Sequence, residues 1–334
     1  MFKRQRTTIL KNNLEKDCIL HKHAVILANL GAPESIQDLR PFLKNLFMDP
    51  DIVRFPFGKI GQRFFSSMIS LLRAPKSARH YELIGGGSPL QKQTEIQAEL
   101  LRKALQGYGN YKVYTAQRYW HPLFNETANQ IWNDSVQKIT LVPLYPQYST
   151  TTTQSIINHW RRQPNLPEPQ IIWRFYTEGL YLDAVIARIQ EALQLFDEKP
   201  HLLYTAHSIP VSRIKAGDSY QTEIERHYEL LQERLDYRYE STLAWQSKIG
   251  PVEWIGPSVK ESLQALRKKG VERLLVVPLS FVSENLETLF ELDIEYKACA
   301  LKNGFHQYER AATVQDHPFF IKMLVNLIKE KNND

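Results

Sequence analysis

The chain has 334 residues, 43% of them hydrophobic, and a net charge of +6. That length suffices for two domains of ordinary size, and the charge is too mild to point to nucleic acid. Its cysteines, Cys18 and Cys299, give no disulfide framework, no CxxC zinc site and no iron–sulfur pattern, and they fit a reducing compartment. No apolar run approaches the roughly 18 residues of a membrane span.

Residues 1–23 are basic but lack the apolar h-region of a secretory signal, and read as a tail. Ala24–Leu30 is an apolar strand running into Gly31-Ala32-Pro33. Ile36, Leu39, Leu43 and Phe47 then recur at helical spacing. The segment Ile52–Tyr81 carries six basic residues and no Asp or Glu. Within it Ile60, Phe64, Phe65, Met68, Leu71 and Leu72 have helical spacing. Two readings stay open: a helix packed on the domain, and a mobile lip touching an anionic membrane. Tyr81–Leu90 is a glycine-rich turn. It lacks both the GxGxxG and the GxxxxGK[ST] phosphate fingerprints. A helix follows through Leu105, then a strand at Tyr111–Ala116, a helix near Asn125–Asp134, a strand at Ile139–Tyr145 and a loop at Pro146–Ser155.

The second half replays the first. Strands are expected at Ile171–Phe175, His201–Ala206, Leu243–Gln246 and Val271–Leu279. Helices are expected at Leu180–Phe196, Tyr220–Leu235, Ser258–Lys269 and Phe319–Lys331. VILANLGAP overlays LLYTAHSIP and VQKITLVPL overlays VERLLVVPL. VYTAQRYWHP overlays TLAWQSKIGP, pairing Gln117 with Gln246 and Pro122 with Pro251. The repeat argues for two similar α/β units with parallel sheets flanked by helices, facing each other across a cleft lined by strand ends. The units are expected at 24–168 and 169–318, with a C-terminal helix at 319–334.

The most unusual stretch follows the last of these strands. Glu284, Glu287, Glu291 and Glu295 are spaced by three, four and four, on one helical face. No Lys or Arg interrupts Leu274–Tyr296, so like charges repel at a cost of roughly 0.2–0.5 kcal/mol per pair. A solvated acidic face and a cation site are both consistent with this. His207 ends an apolar strand. An imidazole facing Glu287 across one site would bind a divalent metal or relay protons.

Several strings together are specific: NLGAP (Asn29–Pro33), YELIGGGSPL (Tyr81–Leu90), RYWHP (Arg118–Pro122), LYPQYSTTTTQS (Leu144–Ser155), AHSIP (Ala206–Pro210), GDSY (Gly217–Tyr220), WQSKIGPVEWIGPS (Trp245–Ser258) and FVSENLETLFELDIEY (Phe281–Tyr296). On these the chain resembles the ferrochelatases of bacterial type, which insert ferrous iron into a porphyrin to make haem. The resemblance implies two Rossmann-like, chelatase-type units without a nucleotide. It places the active-site histidine on His207 and the essential glutamate on Glu287, both as catalytic and metal-contacting groups. Glu291 and Glu295, with Glu284, would form an acidic relay. Leu27, Phe64, Phe65, Tyr81, Arg118, Tyr119 and Trp254 would contact the porphyrin.

The resemblance also implies porphyrin and ferrous iron as substrates, no required cofactor, and a cytoplasmic place with peripheral membrane contact. The chain ends without the cysteine-bearing extension of animal members, so no iron–sulfur cluster is expected. Coproporphyrin as substrate, a cobalt chelatase and a non-enzymatic tetrapyrrole carrier remain alternatives. Two departures stand out: Asn285 where many relatives carry a histidine, and Gln154 where they carry a small residue.

Overall fold

A computed structural model describes residues 23–333 apart from 51, 54, 165 and 249–251. The expected tail lies outside the described residues except for His23, which opens the first strand. There are two parallel sheets of four strands. The first holds β1 (His23–Asn29), β2 (Tyr111–Gln117), β3 (Lys138–Pro143) and β4 (Gln170–Ile171) in the order β2-β1-β3-β4. The second holds β5 (His201–His207), β6 (Ser241–Gln246), β7 (Arg273–Pro278) and β8 (Gln307–Arg310) in the order β6-β5-β7-β8. The two orders are the same, as the repeat requires.

Both faces of each sheet are covered, which is why β1 and β7 read as nearly continuous apolar runs. Alternate side chains of β1 enter different cores. Val25 and Leu27 join a core shared with the second sheet, where Tyr204, Leu275 and Phe320 meet them. Ala24, Ile26 and Ala28 face an outer layer built on Phe124, Ile156 and Trp160. The helices Leu90–Ala104, Gly179–Leu193, Tyr220–Arg234 and Pro318–Asn333 contribute to the shared core. Leu27 is thus 0% exposed and packs the interior. Its expected place against a porphyrin does not hold.

The boundary expected after residue 168 falls too early. β4 pairs with β3 through Thr140↔Gln170 and Leu141↔Ile171, so it closes the first sheet. Residues Thr153–Trp160, partly read as a loop because of their threonine run, form a helix.

The repeat overlay also needs one correction. Pro143 lies opposite Ala28 and Pro278 opposite Thr205, as the overlay demands. The Gln117 N–H donates to the Pro122 carbonyl at 2.7 Å, but in the second half Trp245 N–H donates to Pro257 at 2.9 Å. Pro122 therefore matches Pro257, not Pro251, and Gln117 matches Trp245. The second loop is longer and its sequence carries an earlier proline, Pro251.

The glycine-rich turn is a packing device. A side chain at Gly87 would stand 2.0 Å from the Glu34 carbonyl oxygen, and Ser88 N–H donates to Pro33 at 2.9 Å. Only a residue without Cβ lets these two backbone segments approach so closely.

Candidate active site

His207 stands at the carboxyl end of β5, opposite Gln246 of β6. Loops at strand ends are where open α/β sheets bind ligands. The backbone N–H of His207 donates to Ser280 Oγ at 2.9 Å, fixing the strand end against the loop after β7. Burial pushes the imidazole pKa down to about 4, so the ring is neutral at pH 7 with a lone pair to offer.

The acidic stretch does not continue as an α-helix. Glu287–Tyr296 is a π-helix ten residues long. Bonding from i to i+5 gives about 4.4 residues per turn, and such turns concentrate at functional sites. A step of four residues then turns back by about 30° instead of forward by about 40°. Glu287, Glu291 and Glu295 therefore stay on one face in either geometry, and the sequence pattern does not separate the two.

The stripe is not uniform. Burial raises the Glu287 pKa. Burial, then the charge of Glu287, pushes Glu291 up to about 7, against hydrogen bonds that favour its ionised form. Ser247 Oγ donates to Glu291 Oε2 at 2.5 Å and Gln246 Nε2 at 3.2 Å. Among the described residues no Lys or Arg pairs with Glu287 or Glu291. Glu295, by contrast, is met by Lys260 at 2.7 Å at the outer end of the stripe.

Glu284 leaves the stripe altogether. Its Oε1 accepts from Arg310 Nη1 at 3.1 Å and from Thr313 N–H at 2.9 Å. Burial would raise its pKa, but the Arg310 charge and these hydrogen bonds outweigh burial and hold it low. Glu284 anchors the loop, and its expected place in an acidic relay does not hold.

The first half supplies the other wall. Burial and then the Glu287 charge raise the pKa of the Tyr81 phenol, and Tyr145 also feels Glu287. His80 stacks on Phe290 of the π-helix with ring centroids 4.0 Å apart. The end of the helix Gly58–Leu83 therefore rests on the acidic helix.

Two expected ring contacts are already engaged. Arg118 pairs with Asp49 in a buried contact and its Nε donates to Ser155 Oγ at 3.2 Å. Tyr119 donates to the same Asp49 at 2.6 Å and is 3% exposed. Both hold the fold because their partner Asp49, distant in sequence, folds back beside them. Trp254 is half-buried, bridged to Pro210, and its indole N–H has no hydrogen-bond partner. Phe64 is exposed, while Phe65 packs on Phe55 with centroids 5.5 Å apart.

The ferrochelatase family model matches residues 22–332. The chain belongs to the ferrochelatase family. It is 42% identical to the ferrochelatase of Synechocystis sp. (strain ATCC 27184 / PCC 6803 / Kazusa), over 93% of this chain and 82% of that one. It is also 42% identical to the ferrochelatase of Synechococcus sp. (strain JA-3-3Ab), over 93% of this chain and 94% of that one. Among solved structures, SirB from Bacillus subtilis with Fe3+ gives a TM-score of 0.53 at 15% identity, covering 93% of this chain and 95% of that one. The sirohydrochlorin chelatase SirB from Bacillus subtilis subspecies spizizenii, in complex with cobalt, gives 0.53 at 14%, covering 93% and 96%. These structures are alike in fold. As a ferrochelatase the protein is a metal-chelating enzyme of haem synthesis, with porphyrin and iron as its substrates.

The two departures from the ferrochelatase pattern have local explanations. Asn285 Oδ1 accepts from Thr288 N–H at 3.0 Å, and Thr288 Oγ1 accepts from Asn285 N–H at 3.0 Å. This reciprocal cap starts the acidic helix, a role for which Asn is among the best residues. Gln154 accepts from the Tyr148 hydroxyl at 3.0 Å and donates to Asn158 at 2.8 Å, tying the loop to the following helix. Sequence reasoning missed Ser247. Nothing in a lone serine signals that its hydroxyl will meet a carboxylate 44 residues away.

Proposed function

We propose that His207 accepts pyrrole protons while Glu287 and Glu291 conduct charge, as the chain inserts Fe2+ into protoporphyrin. Two protons leave the ring as one doubly charged ion enters, so the site needs both a neutral base and acids that exchange protons near neutral pH. The observation that carries this reading is the pairing of kinds: a neutral imidazole at the end of β5 opposite Gln246, and, on the helix to which Gln246 donates a hydrogen bond at Glu291, two carboxylates with raised pKa values. Glu291, near 7, is suited to take a proton and release it. A planar ring does not present its nitrogens to a base and a metal together, and binding energy from the cleft walls would bend it.

The helix Gly58–Leu83 supports a membrane-touching lip. It is built inside out. Its buried face carries Gly61, Gln62, Ser66 and Ser70. Gln62 Nε2 donates to the Phe47 and Val53 carbonyls, each at 2.8 Å, and Ser66 Oγ donates to Phe47 at 2.7 Å. The large apolar residues point outward: Ile60 is 83% exposed, Phe64 64% and Leu72 70%. Exposed Lys59, Arg63, Arg73, Lys76 and Arg79 accompany them. Each basic residue would contribute about 1 kcal/mol at an anionic surface. No helix of the described residues is long and apolar enough to cross a membrane. We assign the enzyme a peripheral place on the cytoplasmic side of the membrane and no cofactor beyond its substrates.

Anaerobic incubation with Fe(II) and either protoporphyrin or coproporphyrin tests the substrate. Faster loss of the free-base spectrum with protoporphyrin is expected, and preference for coproporphyrin would overturn that choice.

A further inference from the structure

Five acids lie between Glu284 and Glu295, and the stripe uses three of them. The other two, Glu284 and Asp293, meet on one side chain. Arg310 Nε donates to Asp293 Oδ1 at 2.7 Å and its Nη2 to Oδ2 at 2.8 Å, while Nη1 reaches Glu284 at 3.1 Å. Arg310 sits on β8, opposite Val276 of β7, so its backbone belongs to the sheet. Two residues earlier, the Tyr308 hydroxyl donates to the Leu292 carbonyl inside the π-helix at 2.8 Å.

We propose that Arg310 is a positioning residue: by gripping Glu284 before the π-helix and Asp293 within it, it fixes the wide register that sets where Glu287 and Glu291 stand. Runs of i→i+5 bonding are rare and short, so a long one needs a partner that favours it. In an α register each residue turns about 18° further than in a π register, about 110° over the six residues from Glu287 to Asp293. Asp293 would then leave the guanidinium. The planar, two-point bond to a carboxylate is satisfied in one register and lost in the other. A contact that differs between two states biases the balance toward the state that makes it. Arg310 is therefore matched to the register as well as to the fold.

The inference rests on the proposed role of Glu287. The test is Asp293→Asn, which keeps the buried Glu284–Arg310 pair, with Asp293→Glu as the conservative variant and Glu287→Gln alongside. Asp293→Asn is expected to lower kcat for Fe(II) insertion about 10- to 100-fold, the scale of a small displacement of reacting groups. The KM for porphyrin stays near wild type, and the thermal midpoint falls without unfolding the variant at assay temperature, because Glu284 still pairs with Arg310. Amide hydrogen exchange across 291–296 speeds up, and Asp293→Glu restores much of both kcat and exchange. Wild-type kcat and exchange in Asp293→Asn, with Glu287→Gln inactive, would overturn this inference alone. A kcat loss matched by an equal rise in KM, or accompanied by unfolding at assay temperature, would overturn it as well. Full turnover by Glu287→Gln would remove the role of Glu287, and the inference with it.

Discussion

Ser247 donates to Glu291 at 2.5 Å from a left-handed backbone position, φ +65°. A residue with a Cβ pays about 1–3 kcal/mol for such a conformation, and it persists where the surroundings demand it. Here it aims a hydroxyl at a carboxylate inside the cleft. The bond favours the ionised carboxylate, so removing it raises the Glu291 pKa further. In Ser247→Ala the acid limb of kcat/KM, expected near pH 7 in the wild type, should move to higher pH. A pH–rate profile of both proteins measures this, and coincident limbs would separate Ser247 from the reaction.

Glu291 also links stability to pH. The folded protein keeps its proton up to about pH 7, whereas the unfolded chain releases it near 4.5. Its stabilising contribution is fully present below 4.5 and is lost as pH rises through 7. Glu291→Gln should therefore raise the thermal midpoint at pH 8 and change it little at pH 5. Calorimetry at both values checks the sign, and a lower midpoint at pH 8 would contradict it.

Most strands were legible because burial on both faces writes a continuous apolar run, as in Leu274–Val277; the strand expected at Ile171–Phe175 is only Gln170–Ile171. β8 was not legible, because Gln307-Tyr308-Glu309-Arg310 offers a single apolar residue and sits at a sheet edge. His207 and Glu287 stood out through the strings around them, and the structure shows both to be groups whose pKa burial shifts. The roles of Arg118 and Tyr119 were not. Their shared partner Asp49 lies 69 and 70 residues away, and only folding reveals that the guanidinium is occupied. The π-helix was hidden for a geometric reason: a spacing of four keeps one face in either helix.

The buried Arg118–Asp49 pair leads to a third expectation. Breaking such a pair by removing one partner costs about 3–5 kcal/mol. Asp49→Asn should lower the unfolding midpoint in denaturant while any folded enzyme keeps its KM for porphyrin. A stable variant with a much weaker KM would return Arg118 to the porphyrin site.

The lip gives a fourth. Phe64→Ser combined with Phe65→Ser should weaken binding to anionic vesicles and leave the fold intact. Sedimentation at low and high salt separates the electrostatic share, which falls with salt. A wild type that stays in solution with anionic vesicles at low salt would remove the membrane contact. An unfolded double variant would mean that these side chains pack the domain.

His207 is the proposed acceptor of the pyrrole protons. Fe(II) insertion followed under anaerobic conditions in His207→Ala, with porphyrin binding measured on the same sample, should leave bound porphyrin metal-free, with turnover lower by about 10²–10⁴-fold, the usual cost of an essential base. Turnover near wild type in a variant that binds porphyrin normally would contradict that role.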